Sequence, residues 1–139
     1  MWSNKYIRIP FLDRGRSKNG ADCWGLVRII FADERGIDLP VLDGYCDTKD
    51  AATIKDIIGD ECARWSRVDP GQEMPFDVVV FKMLGLSMHI GLIVEPGLMI
   101  HCQKKSNTTH CRYLNESEWK CRIEGFYRYA ANSGIPTSV

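Results

Sequence analysis

Cys23, His89 and His101 are the residues of this chain whose types and spacing could do chemistry. A thiol nucleophile needs a base within hydrogen-bond reach, and that base needs a partner that fixes its tautomer. Cys23 lies in Asn19-Gly20-Ala21-Asp22-Cys23-Trp24-Gly25-Leu26-Val27, where a turn runs into a helical pattern. Leu26, Val27, Ile30 and Phe31 follow at i+3, i+4, i+7 and i+8, so Cys23 heads one apolar helical stripe. Asn19 and Gly20 read as the turn and Asp22 as the N-cap. A thiol in the first helical turn faces unpaired backbone N–H groups at the positive end of the helix dipole. That placement is expected to favour thiolate, and with a histidine cation nearby a cysteine pKa falls from about 8.5 toward roughly 3.5–7.5.

The two histidines flank a turn signal, Glu95-Pro96-Gly97. Read as a three-residue hairpin loop, with Gly97 in the left-handed position, it sets Val94 opposite Leu98 and His101 opposite Gly91. His89, Gly91 and His101 then share one face, with Gly91 leaving room between the rings. A two-residue loop would send the histidines to opposite faces. Three readings of the pair are open at this point. They are ordinary histidines with satisfied hydrogen bonds, or metal ligands with Cys23 as a third, or a general base (His89) oriented by His101.

The elements that must position these groups change in kind along the chain. Residues 1–18 read as an irregular arm, with Ile7, Ile9 and Phe11 alternating like a short edge strand that Pro10 limits. Arg14-Gly15-Arg16-Ser17-Lys18 reads as a solvated basic loop. A first helix is predicted over about 22–34 with Gly36 as its C-terminal glycine. Residues 41–49 form a loop, and a second helix follows over about 49–66. Strands are predicted at Phe76-Asp77-Val78-Val79-Val80-Phe81, at 88–94 and at 98–103, with more from about 109–115 and 121–129. Helices first and strands afterwards give an α+β domain, N-terminal helices packed on an antiparallel sheet. One domain spans 1–139, with a loose tail over Ala131 to Val139.

With 18 Lys+Arg against 18 Asp+Glu, the chain lacks the basic surplus of a protein held by nucleic-acid phosphates. No apolar run approaches the roughly 20 residues of a membrane span. Met1-Trp2-Ser3-Asn4-Lys5 lacks the apolar core of a signal peptide, so the chain is expected to be made in a cytoplasm, with any export by another route. The cysteines at 23, 46, 62, 102, 111 and 121 show no Cys-x-x-Cys spacing, and no zinc pattern or cofactor motif is present, so no cofactor is expected. All but Cys23 read as small, partly buried, reduced side chains.

Taken together, these residues resemble the NlpC/P60 cysteine peptidases, papain-like enzymes that cut peptidoglycan stem peptides. Gly20-Ala21-Asp22-Cys23-Trp24-Gly25-Leu26-Val27 is similar to the family's nucleophile motif, Asp-Cys-Ser-Gly-hydrophobic-Val. Phe76 to Phe81 is similar to its first core strand, Met88-His89-Ile90-Gly91-Leu92-Ile93 to its base motif, and Met99-Ile100-His101 to the segment carrying the third polar residue. The likeness covers about residues 9–105. It implies that Cys23 attacks the peptide carbonyl, His89 moves the proton and His101 holds His89, with Asp22 and Trp24 near the substrate. Asp22 is expected to cap the helix as well, and Trp24 stands where many members carry Ser. Phe11 stands where many carry a Tyr near the oxyanion, which leaves Tyr6 as a possible donor. The Arg-Gly-Arg-Ser lead-in, Trp24 and the short length look most like the phage-tail branch, implying other tail proteins as partners and a place in the virion tail. The same constellation would also serve an amidase or acyltransferase, or survive inactive in a structural tail component.

Overall fold

Asp22 starts the principal helix: its Oδ1 accepts a hydrogen bond from the Gly25 N–H at 2.7 Å, the N-cap geometry expected for this residue. The computed structural model describes residues 1–13, 15–39, 65–82 and 88–130. Helix α1 (Cys23–Ile30) continues through one wider turn, Phe31–Arg35, and ends at Gly36 with φ 66°. Leu26, Val27, Ile30 and Phe31 are all buried. Each such side chain contributes about 1.5–3 kcal/mol, well above the fraction of a kcal/mol by which a β-branched residue disfavours a helix.

The architecture is α+β. Strands β3 (Trp65–Val68), β4 (Val78–Lys82), β5 (Met88–Glu95), β6 (Leu98–Gln103), β7 (Asn107–Cys111) and β8 (Ile123–Tyr129) form one antiparallel sheet. Its order is β3-β8-β4-β5-β6-β7. A two-strand ribbon, β1 (Arg16–Ser17) and β2 (Gly20–Ala21), leads into α1. A one-turn helix, α2 (Ser117–Lys120), follows β7. Side chains alternate across the sheet and both faces are covered. Val78, Val80, Ile90, Leu92 and Ile100 pack under α1. Val79, Phe81, Ile93, Met99 and Phe126 pack on the other side, against Tyr113 and Trp119.

Several sequence expectations are corrected. Ile7, Ile9 and Phe11 do not form a strand. A 3₁₀ turn at Trp2–Tyr6 precedes them, and Phe11 makes a single bridge to Ala21. Pro10 has no N–H with which to extend a ladder. Within the basic stretch, Arg16–Ser17 forms β1, with Ser17 and Lys18 exposed, and Arg14 lies outside the described residues. The predicted helix over 49–66 lies outside the described residues except at its end. There, Trp65 and Ser66 belong to β3, and Trp65 packs on Tyr129 with ring centroids 5.0 Å apart. The loop at 41–49 and the tail from Ala131 also lie outside the described residues. The first core strand begins at Val78: Phe76, with φ 75°, breaks the regular pairing, although its N–H still donates to the Ile93 carbonyl at 2.9 Å. Its ring is held between Trp2, stacked at 4.7 Å, and the Arg35 guanidinium at 4.2 Å.

Candidate active site

The hairpin reaches the expected facing by a different route. Glu95 pairs with Leu98 across a two-residue turn, Pro96-Gly97, with Gly97 at φ 87°. That turn alone would put His89 and His101 on opposite faces. A register shift between Ile93 and Glu95 absorbs one extra residue, so Ile93 pairs with Met99 and Leu92 with Ile100. The histidines therefore share a face. The turn is fixed from outside: the Gly97 N–H donates to the Tyr113 hydroxyl at 3.0 Å, and that hydroxyl donates to Glu73 Oε2 at 2.6 Å. Gly91 does not leave an open gap, since a Cβ there would lie 2.5 Å from the Met99 sulfur.

His89 Nε2 and His101 Nδ1 are 2.8 Å apart, a direct imidazole–imidazole hydrogen bond. Both rings are buried. Burial, and then the neighbouring His101, holds His89 well below the ordinary imidazole value. Burial alone takes His101 down to about 4. Both are neutral at pH 7. If Nε2 of His89 carries the shared proton, its Nδ1 keeps a lone pair, as a general base requires. Phe81 and Trp119 pack against this pair, and Trp119 went unnoticed in the sequence. Its one signal there is a lone indole in the polar run Asn115-Glu116-Ser117-Glu118-Trp119-Lys120.

Cys23 heads α1 as predicted, but its thiol is 1% exposed. Burial, followed by the charge of Asp22, pushes the thiol up to about 12 against the partial relief of the Ile90 and Trp24 backbone amides. From an ordinary 9.0, that rise is about 4 kcal/mol. A helix terminus is worth about 0.3–2 kcal/mol, so burial wins and the resting group is the thiol rather than the expected thiolate. The amide of Ile90, the residue after His89, lies against the sulfur, so the helix start and the hairpin meet. Cys102 ties the same elements: its Sγ donates to the Ala21 carbonyl at 3.2 Å. Gly25 admits the lead-in, because a Cβ there would lie 2.1 Å from the Gly15 carbonyl oxygen.

Of the residues singled out in the sequence, the structure joins His89 to His101; the hydrogen bonds of the described residues do not include one from Cys23 to His89. Asp22 and Trp24 are 0% and 2% exposed. They lie in the core, where Asp22 caps the helix and Trp24 packs. Tyr6 is no oxyanion donor. Its hydroxyl donates to Glu34 at 2.6 Å and to Asp33 at 3.3 Å, about 15 Å along the helix axis from Cys23. Cys102 and Cys111 are buried and free, while Cys121 is exposed. Among the described residues, no group of three His, Cys, Asp or Glu is placed to hold a metal ion, and no helix is long and apolar enough to cross a membrane.

Known proteins share both the sequence pattern and the fold. The chain is 30% identical over 131 residues to the gamma-DL-glutamyl hydrolase of Bacillus subtilis, a match covering 91% of this chain but 28% of that protein. An NlpC/P60 family protein from Bacillus cereus superposes with a TM-score of 0.68 at 21% identity, over 92% of this chain and 38% of its own. The NlpC/p60 domain of the peptidoglycan hydrolase SagA superposes with a TM-score of 0.61 at 19% identity, over 90% of each chain. The NlpC/P60 family model itself matches residues 8–128. With the match spanning both the Cys23 helix and the histidine hairpin, the chain belongs to the NlpC/P60 family.

Proposed function

We propose that this chain is a cysteine peptidase that hydrolyses peptidoglycan stem peptides through Cys23, His89 and His101. The observation that carries this reading is the 2.8 Å bond between His89 Nε2 and His101 Nδ1. The names of the hydrolase relatives support the class of reaction. Because thiol and imidazole both rest neutral, the reaction begins with proton transfer. His89 Nδ1 takes the Cys23 proton as the sulfur bonds to the substrate carbonyl carbon, a step that requires the sulfur, packed on the α1 side of the sheet, to come within reach of an imidazole packed on the Trp119 side. His101 accepts the His89 Nε2–H bond that orients the new imidazolium. The imidazolium then protonates the departing amine, leaving a thioester on Cys23. Water, deprotonated by His89, cleaves the thioester and restores the thiol. The Cys23 backbone N–H serves the oxyanion. In the setting we propose, the domain is made in a bacterial host and acts from a phage tail, alongside other tail proteins. The lead-in at 14–18 and Trp24 support this, and mass spectrometry of purified virions tests it.

Digestion of purified sacculi tests the chemistry. Wild type is expected to release muropeptides and Cys23→Ala none, with the variant's circular dichroism unchanged. Muropeptides released equally by both would sink the thiol mechanism. A second reading, a structural domain with an idle site, draws on the burial of Cys23 and Trp24. It predicts no release by wild type under any condition, and identical virion assembly with Cys23→Ala.

A further inference from the structure

The ring stack around the histidine pair has a feature that ordinary core packing does not require. Trp119 is the one buried residue of α2, 2% exposed. Its indole meets both imidazoles at once, with ring centroids 5.3 Å from His89 and 5.1 Å from His101. The same indole lies 5.0 Å from Phe81, which in turn lies 6.2 Å from His89. The planes differ by 35° from His89 and by 87° from His101, so one ring meets the indole at a tilt while the other meets it edge-to-face. The two imidazoles lie 75° apart, a geometry that the bond between them does not impose. An imidazole turns about χ2 in a broad well, and a ring flip exchanges nitrogen for carbon at the bonding position. Something must hold both rings. The short helix is itself anchored: the Trp119 backbone N–H donates to the Glu116 carbonyl at 3.0 Å, and the Cys111 thiol donates to the Glu116 carboxylate at 3.3 Å.

We propose that Trp119 is a positioning residue for the histidine pair: its indole sets the rotation of both imidazoles, so that the Nε2–Nδ1 bond persists and His89 presents Nδ1 as base. This rests on the peptidase reading above. Trp119 touches neither sulfur nor substrate in this role; it acts through the two rings.

The test is long-range proton–nitrogen NMR of the His89 and His101 ring nitrogens in wild type, Trp119→Leu and Trp119→Phe, beside kcat and KM on a purified muropeptide. Wild type is expected to show one tautomer for each ring, and Trp119→Leu a mixture. Trp119→Leu lowers kcat by about ten- to a hundredfold, the loss typical of removing a supporting partner, and leaves KM unchanged. Trp119→Phe, which restores an aromatic face, recovers single tautomers and most of kcat. It also serves as the informative variant if the leucine chain does not fold. Wild-type tautomers retained in the folded leucine variant overturn the proposal, whatever happens to the rate. If the leucine variant mixes tautomers while wild type itself cuts nothing, the positioning role stands and the peptidase reading falls.

Discussion

The face of the sheet under α1 and the face under Trp119 are both dry, and dryness acts on their titratable groups in opposite senses. Under α1, burial drives the Cys23 thiol up to about 12 and keeps its proton on. Under Trp119, burial drives His101 down to about 4 and His89 well below its ordinary value, which keeps protons off. Each face disfavours the charged form, so the acid becomes a weaker acid and the base a weaker base. A thiolate–imidazolium pair is thus not the resting state. The helix N-terminus and the approaching amide of Ile90 favour thiolate, but by less than the desolvation they oppose. A substrate that reaches the site brings polar groups with it, and the ion pair forms then or not at all.

The largest expected effect breaks the comparison from the imidazole side. His89→Ala removes the base and should lower kcat on muropeptide by about 10²–10⁴. Cys102→Ala, a substitution of similar burial on the thiol side, should leave kcat near wild type, because the Cys102 thiol only ties its strand to the Ala21 carbonyl. Equal losses in the two variants would mean that packing, and not proton transfer, sets the rate.

A smaller effect sharpens the comparison through pH. The histidines bind protons more weakly folded than unfolded, so the unfolded chain takes up more protons below 6.5 and stability there rises with pH. Stability is full above 6.5 and falls as pH drops from 6.5 toward about 4, the folded value of His101. For His101 the loss across that window is about 3 kcal/mol. Urea unfolding at stepped pH measures it, and His101→Leu should flatten the slope. A wild-type curve level from pH 7 to 4.5 would contradict the burial assigned to the imidazole face.

How far the site was legible follows from what sets each part. The helix start was plain because its signals are local: a capping Asp22, Cys23 one residue on, an apolar stripe behind it and Gly36 at the end. The shared face of the histidines was also reached, although the loop was misread. The sequence shows Glu95-Pro96-Gly97 but not the extra residue beyond Ile93 that restores the pairing. The thiol's protonation was misjudged, because burial depends on what the rest of the chain stacks over Cys23. Trp119, and the contact of the Phe81 ring with the histidines, escaped notice for the same reason: ring contacts between residues far apart in sequence leave no spacing to read. Trp65 shows the limit from another side, its apolar period fitting a helix while an open edge of β8 drew it into a strand.

The smallest effect concerns Asp22, which acts on the thiol face in two ways that pull apart. As cap, its Oδ1 accepts the Gly25 N–H at 2.7 Å, and loss of a cap costs about 0.5–2 kcal/mol. As a charge, it raises the Cys23 thiol beyond what burial does alone. Asp22→Ala removes both and should destabilise the fold by about 1 kcal/mol in urea. Asp22→Asn keeps a carbonyl acceptor for Gly25 while deleting the charge, so it should cost less. Both should let Cys23 titrate lower, as read by the carbon-13 shift of its β-carbon across a pH series. A Cys23 titration unmoved in both variants would mean that the carboxylate's field does not reach the sulfur. The resistance of the thiol to ionisation would then come from burial alone, and only opening the α1 face could relieve it.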